Sequence, residues 1–285
     1  MALCMGLSFT SCLDSNGDSD TSYVGGFVKV TSNYLGLGSF KGPDGKTTIN
    51  PSNASLTNLE QNGFKMNSVN AAFIQGTYNK EENLDVETSK TFQNVNITYA
   101  VALDAPVEIV SEAGAPNDSV NMACIRSLDN TGNGSNNYFS DDYNKPWFFY
   151  DETTLVLPIS YYLSGQKLHD FTLVYNSSES KQGDTILKLS LRHYNAKENS
   201  SNYESYSYAS AYPFAYFYAF DLSTAIEHWQ RALQTSSEPT SVTIEYVASE
   251  YNNDLAQGTT KLLTVEETKA TIAKLAYIQE RLEEV

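Results

Sequence analysis

Thr185-Ile186-Leu187-Lys188-Leu189-Ser190-Leu191-Arg192-His193 decides the fold class. Leu187, Leu189 and Leu191 alternate with Lys188, Ser190 and Arg192, a period of two that gives a strand one buried and one wet face. The same signal recurs on both sides. Thr240–Val247 sets Val242, Ile244 and Tyr246 in phase, and Phe171–Tyr175 and Leu155–Leu163 are further strand candidates. Upstream, Phe92–Leu103 reads as a strand with Val95, Ile97, Tyr99, Val101 and Leu103 on one face, ended by Ala105-Pro106. Phe64–Tyr78 and Val24–Val30 are strand candidates too, the latter with a Gly25-Gly26 pair suited to a bulge. In Gly42-Pro43-Asp44-Gly45-Lys46 proline presets φ and glycine supplies a positive φ, which makes a turn.

Two stretches follow helical spacing instead. Leu222, Ala225, Ile226, Trp229, Ala232 and Leu233 form one stripe, with Asp221 or Ser223 able to cap its start. Thr264 and Glu267 form a capping box for a C-terminal helix over Val265–Glu284. The expected organisation is a leader and acidic tether over 1–22, a β-domain over 23–127 and an Asn/Gly-rich linker over 128–145. A second β-domain over 146–262 and the C-terminal helix over 263–285 complete it.

The 285 residues include 34 Asp+Glu against 18 Lys+Arg, a net charge of −16. Such a surface repels phosphate backbones, so nucleic acid is excluded as a partner. Hydrophobic residues make up 41 % and aromatics 12 %, enough for a packed core. Twenty tyrosines, with many Ser, Thr and Asn, favour strands over helix bundles.

Met1–Ser11 is uncharged, with Leu3, Met5, Leu7 and Phe9 forming an apolar stretch too short to span a bilayer. It ends in Phe9-Thr10-Ser11-Cys12. Small residues directly before a cysteine resemble the lipobox of bacterial lipoproteins, where the cysteine is lipidated and the preceding segment removed. A basic n-region is missing, and a start codon lying upstream accounts for that. Leu13–Thr21, rich in Asp, Ser, Asn and Gly, cannot bury enough apolar area to fold and reads as a tether. Cys12 is therefore the expected lipid-attachment residue, and the outer membrane, on its periplasmic or exterior side, the expected place. Cys124 then stands without a partner cysteine and reads as a small buried hydrophobe.

No catalytic residue, cofactor or metal is expected. His169, His193 and His228 belong to no metal-ligand spacing, and neither a nucleophile elbow nor a phosphate loop occurs. Glu81/Glu82 and Asp141/Asp142 are adjacent, whereas a glycosidase pair must face across a cleft. The unusual feature is aromatic. Tyr206, Tyr208, Tyr212, Phe214, Tyr216, Tyr218 and Phe220 all fall on even positions, with mostly small residues between them. As a strand this carries a ribbon of rings on one face. The ribbon either packs as sandwich core with hydroxyls at its rim, or offers Tyr206, Tyr208, Tyr212, Tyr216 and Tyr218 as a binding platform for a glycan or a protein. Asp118-Ser119-Val120 and Asp184-Thr185-Ile186 resemble an O-glycosylation acceptor of envelope proteins.

The strand Thr185–His193, the strand Thr154–Leu163 and the helix entry Phe220-Asp221-Leu222-Ser223 resemble those of the NigD-like bacterial lipoproteins. Pro43-Asp44-Gly45-Lys46 followed by Asn50-Pro51-Ser52 fits that family's first domain. The resemblance implies a mainly β chain, with an OB-like N-terminal barrel and a C-terminal β-sandwich. It also implies a non-enzymatic, lipid-anchored cell-envelope protein with a role of bacteriocin-immunity type, whose partner is an envelope protein. The alternative is a glycan-binding surface lipoprotein using the aromatic strand face.

Overall fold

The computed structural model describes residues 20–32, 38–110, 122–128, 141–161, 169–195, 217–249 and 254–266. Strands β1 (Thr21–Ser32), β2 (Gly38–Lys41), β3 (Thr48–Pro51), β4 (Ala71–Asn79) and β5 (Thr91–Ala102) close into a barrel in the order β1-β2-β3-β5-β4. Only β3 and β5 pair in parallel. Helix α1 (Asn53–Gln61) sits between β3 and β4. This is an OB-type barrel, which closes its sheet and so removes edge strands. Val24, Val28, Phe40, Ile49, Ile74, Tyr78, Phe92, Val95 and Ile97 fill its interior.

Helix α1 was not apparent as a periodic stripe, because only Ser55 and Leu59 of its residues are buried. Its start is nonetheless written locally, since the Ser52 hydroxyl accepts from the Ser55 N–H at 3.2 Å. Ser55 in turn accepts from the Ile97 N–H at 2.8 Å and donates to Val95 O at 3.2 Å, supplying β5 where its pairing with β3 is irregular.

The single-face reading of β5 is corrected. Val95 and Ile97 point into the barrel, but Tyr99 is exposed and Val101 packs outside. The register shifts between Gln75↔Tyr99 and Gly76↔Ile97, and one extra residue in a strand moves everything beyond it to the opposite face. Gly76 makes this bulge possible, since a Cβ there would lie 2.7 Å from Asn96 O. Gly76→Ala is expected to destabilise the chain by about 1–3 kcal/mol through overpacking. Urea unfolding checks this, and an unchanged midpoint would remove the steric argument.

After β5 the chain leaves the barrel. β6 (Asp104–Ala105) and β7 (Val107–Val110) pair with later strands, so the barrel covers 21–102 and not 23–127. β8 (Trp147–Phe148), β9 (Thr154–Pro158), β10 (Asp170–Asn176), β11 (Ile186–Tyr194) and β12 (Phe217–Asp221) follow. A four-residue helix α2 (Val86–Ser89) precedes β5, and α3 (Ser223–Leu233) follows β12, where Asp221 accepts from the Ser223 N–H at 3.0 Å. β13 (Ser241–Ala248) and β14 (Thr259–Glu266) complete the described chain.

Two sheets result, ordered β14-β13-β11-β10-β7 and β6-β12-β9-β8. Leu187, Leu189 and Leu191 meet Leu155, Leu157 and Phe220 between them, and α3 adds Ala225, Trp229 and Leu233 to the same core. The expected C-terminal helix does not start at Thr264. Thr264 and Val265 lie in β14 opposite Thr243 and Val242, with Val265 buried in the sandwich core, and residues 267–285 lie outside the described residues.

The four-stranded sheet is covered on both faces. Phe217, Ala219, Val156, Trp147 and Phe149 face the barrel, where they meet Phe27, Phe73 and Val101. Tyr143, at the end of the stretch read as a linker, is buried in the same seam. The Pro43–Gly45 turn docks beside it, with the Tyr150 N–H donating to Pro43 O at 2.9 Å and Gly45 lying against the Tyr150 ring. Barrel, four-stranded sheet and five-stranded sheet are therefore stacked in that order.

Candidate functional site

Of the residues singled out in the sequence, Cys12, Tyr206, Tyr208, Tyr212 and Tyr216 lie outside the described residues. Tyr218 is described. It is half-buried on β12, with its ring 4.7 Å from Phe171 at the rim of the sandwich core. Its hydroxyl donates to His169 O at 3.2 Å and accepts from the Tyr161 hydroxyl at 3.1 Å. Among residues 217–220 the ribbon pattern places Tyr218 and Phe220 toward the sandwich interior and Phe217 toward the barrel. Both faces of β12 are packed there.

Beside Tyr218 lies a pair that sequence spacing did not bring together. His169 precedes β10 and His193 stands on β11, and the β10–β11 register, with Phe171 opposite His193, puts the rings side by side. His169 Nδ1 is 2.7 Å from His193 Nε2, and His193 Nδ1 is 3.1 Å from Ala123 O. A carbonyl only accepts, so His193 carries hydrogen on Nδ1. In the neutral pair its Nε2 then accepts the Nδ1–H of His169. Phe171 stacks on His193 at 4.5 Å and 16°, and Tyr161 packs against both imidazoles. His169 is 2 % exposed and His193 1 %, so this proton-sharing pair is shut from solvent. The sequence signal for it was slight: His169 stands just before one strand candidate and His193 ends another.

The second cluster lies in the seam. Lys29 on β1 is 7 % exposed. Its ammonium donates to Asn70 Oδ1 at 2.6 Å, Thr154 Oγ1 at 2.7 Å and Asp151 Oδ2 at 2.8 Å, using all three hydrogens. Asp151 also accepts from the Thr153 and Thr154 N–H groups and from the Thr154 hydroxyl. Burial pushes the Asp151 carboxyl up, but the Lys29 hydrogen bond and charge, with the bonds from Thr154, hold it below its ordinary 3.8. Asp104 is shifted the other way. Desolvation raises it against the Asn70 and Ala71 N–H bonds and the Lys29 charge, and its open side to solvent limits that rise. Two carboxylates with oppositely shifted acidity can mark an acid/base pair. Here all four oxygens are taken by hydrogen bonds from the chain itself, and the group acts as a latch between barrel and sandwich.

Cys124 is fully buried, with Sγ 3.3 Å from Asp254 O. Burial above all, and the Asp254 charge, push its thiol up to about 11, which leaves it protonated and unreactive. Among the described residues no group of three His, Cys, Asp or Glu side chains is placed to hold a metal. Thr185 is exposed at the head of β11, while Asp118–Val120 lies outside the described residues.

Neither a protein-family model nor a curated protein matches the sequence. Solved structures do. A Bacteroides fragilis protein designated a candidate lipoprotein is 23 % identical, with a TM-score of 0.61 over 87 % of this chain and 100 % of its own. A Bacteroides vulgatus protein of unknown function is 10 % identical, with a TM-score of 0.50 over 87 % of this chain and 92 % of its own. A NigD-like immunity protein from Bacteroides caccae is 11 % identical over 87 % of this chain and 97 % of its own, and its TM-score of 0.45 carries no argument. Identities this low establish shared architecture and nothing finer. The chain shares its fold with the Bacteroides fragilis and Bacteroides vulgatus proteins, and its OB-like barrel joined to a β-sandwich is the architecture expected from the NigD-like resemblance.

Proposed function

We propose that this chain is a non-enzymatic, lipid-anchored protein of the cell envelope, held at the outer membrane through Cys12, which binds an envelope protein in a role of immunity type. The observation that carries the reading is where the fold starts relative to Cys12. Asp20 already accepts the Lys80 N–H, and β1 begins at Thr21. Only residues 13–20 separate the cysteine from the barrel wall in the sequence, the arrangement a folded body on a short leash requires. The titratable groups support a non-catalytic reading. The His169–His193 pair, the Lys29 cluster and the Cys124 thiol each spend their polar atoms on the protein's own chain. The lipoprotein designation of the Bacteroides fragilis protein with the same fold points the same way.

The test is intact mass and detergent-phase partition of the protein expressed from its own upstream region, beside Cys12→Ala. The wild type is expected to carry acyl mass and enter the detergent phase, and the variant to stay aqueous at its unmodified mass. An unmodified, aqueous wild type would sink the anchor and with it the envelope assignment.

A further inference from the structure

The outer face of the barrel across β1, β4 and β5 is built in cross-strand rows. Residues directly opposite in a ladder share a face, so the registers give Phe27, Phe73 and Val101 as one row. That row is buried against the four-stranded sheet. The next two rows lie beyond the seam. One is Gly25, Gln75 and Tyr99; the other is Tyr23, Thr77 and Asn96. The bulge at Gly76 places Tyr99 on this outer face, where the sequence pattern alone assigned it to the same side as Val95.

Three features set these rows apart. Tyr23 is 69 % exposed and Tyr99 37 %, two of the few large rings that face solvent among the described residues. They stand diagonally across β4, with Cα atoms about 12 Å apart by strand spacing and rise. The surface between them is low and rigid. Gly25 can bear no side chain, since a Cβ would lie 2.6 Å from Ile74 O, and Thr98 Oγ1 ties β5 to Gln75 O at 3.3 Å. Finally, the six positions carry no charge, although the chain has 34 carboxylates and 18 cationic side chains. What they carry is two phenols, two amides and one hydroxyl.

We infer that this face is a binding platform for a neutral oligosaccharide. A pyranose presents C–H faces that stack on aromatic rings and hydroxyl edges that pair with amides and hydroxyls. Two separated rings with Gln75 and Thr77 between them match a short run of such units, while the Asn96 amide oxygen at the edge is taken by the Ser55 hydroxyl at 3.3 Å. An apolar protein partner would find too little apolar area here, and an ionic ligand would find no counter-charge. The platform shares no residue with the Tyr206–Tyr218 ribbon and does not depend on the lipid anchor, so the two proposals fail separately.

The strong negative charge lets the protein run well in native gels, and native gels containing a soluble glucan, mannan or xylan give the test. Retardation by at least one of the three is expected. In Tyr23→Ser/Tyr99→Ser the polysaccharide concentration needed for half-retardation is expected to rise roughly tenfold or more, in a protein that a melting curve shows to be still folded at the gel temperature. Tyr23→Phe/Tyr99→Phe keeps the stacking faces and is expected to retain most of the binding. Gln75→Ala, which touches neither ring, is expected to weaken it by less. No retardation by any of the three overturns the inference, as does equal retardation of the double-serine variant, or retardation only by an anionic polysaccharide.

Discussion

Lys29→Ala is expected to cost about 3–5 kcal/mol of folding stability, one of the largest losses any single substitution in this chain should produce. The reason is what stays behind. Asp151 remains in the seam with its side chain only 24 % exposed, now without the cation 2.8 Å away. Asn70 and Thr154 lose their donor as well. Lys29→Met keeps most of the stem and is expected to lose nearly as much, which would assign the cost to the charge and not to packing. Lys29→Met/Asp151→Asn removes both charges while an amide oxygen still receives the Thr153 and Thr154 N–H groups, and it is expected to recover part of the loss. Urea unfolding of the wild type, Lys29→Met, Asp151→Asn and the double variant closes the cycle. A cost below about 1 kcal/mol for Lys29→Ala would place the pair among weak surface bridges.

The same pair fixes the acid response. Asp151 is held below its ordinary 3.8 in the folded chain, so the unfolded chain takes up its proton first as pH falls. Its contribution is complete above the ordinary value and is lost as pH falls through the lowered one. Asp104, shifted upward, works in the opposite sense over the window just above 3.8. Removing Lys29 should therefore flatten the stability curve of the protein below about pH 4.

Phe27→Ala carries the second large effect, about 3–5 kcal/mol for an aromatic ring removed from a buried site. Its ring lies 5.3 Å from Phe73, 5.2 Å from Tyr143, 5.5 Å from Trp147 and 4.8 Å from Phe217, so it bridges the barrel to three elements of the other unit. Its loss weakens the junction more than either interior, because the barrel core of Val28, Phe40, Ile49 and Ile74 is separate. Scanning calorimetry is expected to show a single transition in the wild type and two resolved ones in Phe27→Ala. A variant that melts lower but still in one step would mean that the latch around Lys29, and not the aromatic seam, couples the units.

Much of this architecture was legible where local pattern and tertiary burial agree. Leu187, Leu189 and Leu191 alternate and are buried, and Ala225, Trp229 and Leu233 share one helical stripe and one core. The reading failed where something distant overruled the pattern. The bulge opposite Gly76 turned Tyr99 outward, which no count along β5 alone reveals. Thr264 satisfies a capping rule locally, yet eight consecutive pairs with β13 claim it for a strand. β6 and β7 follow the barrel in sequence but find their partners in β12 and β10. The histidine pair joins residues 24 positions apart and the Lys29 cluster joins residues 41 to 125 positions apart, and their geometry exists only once sheets are in register.

The stacking order has a consequence for how the chain comes to be folded. Synthesis delivers the barrel strands first, whereas Trp147, Val156 and Phe217, which cover Phe27 and Phe73, arrive much later. For that interval a closed barrel carries an uncovered greasy wall, and its completion must wait on strands far along the chain. Such late long-range closure is slow and leaves the intermediate prone to sticking. The barrel expressed alone should therefore aggregate through the very surface that the finished molecule uses to hold itself together.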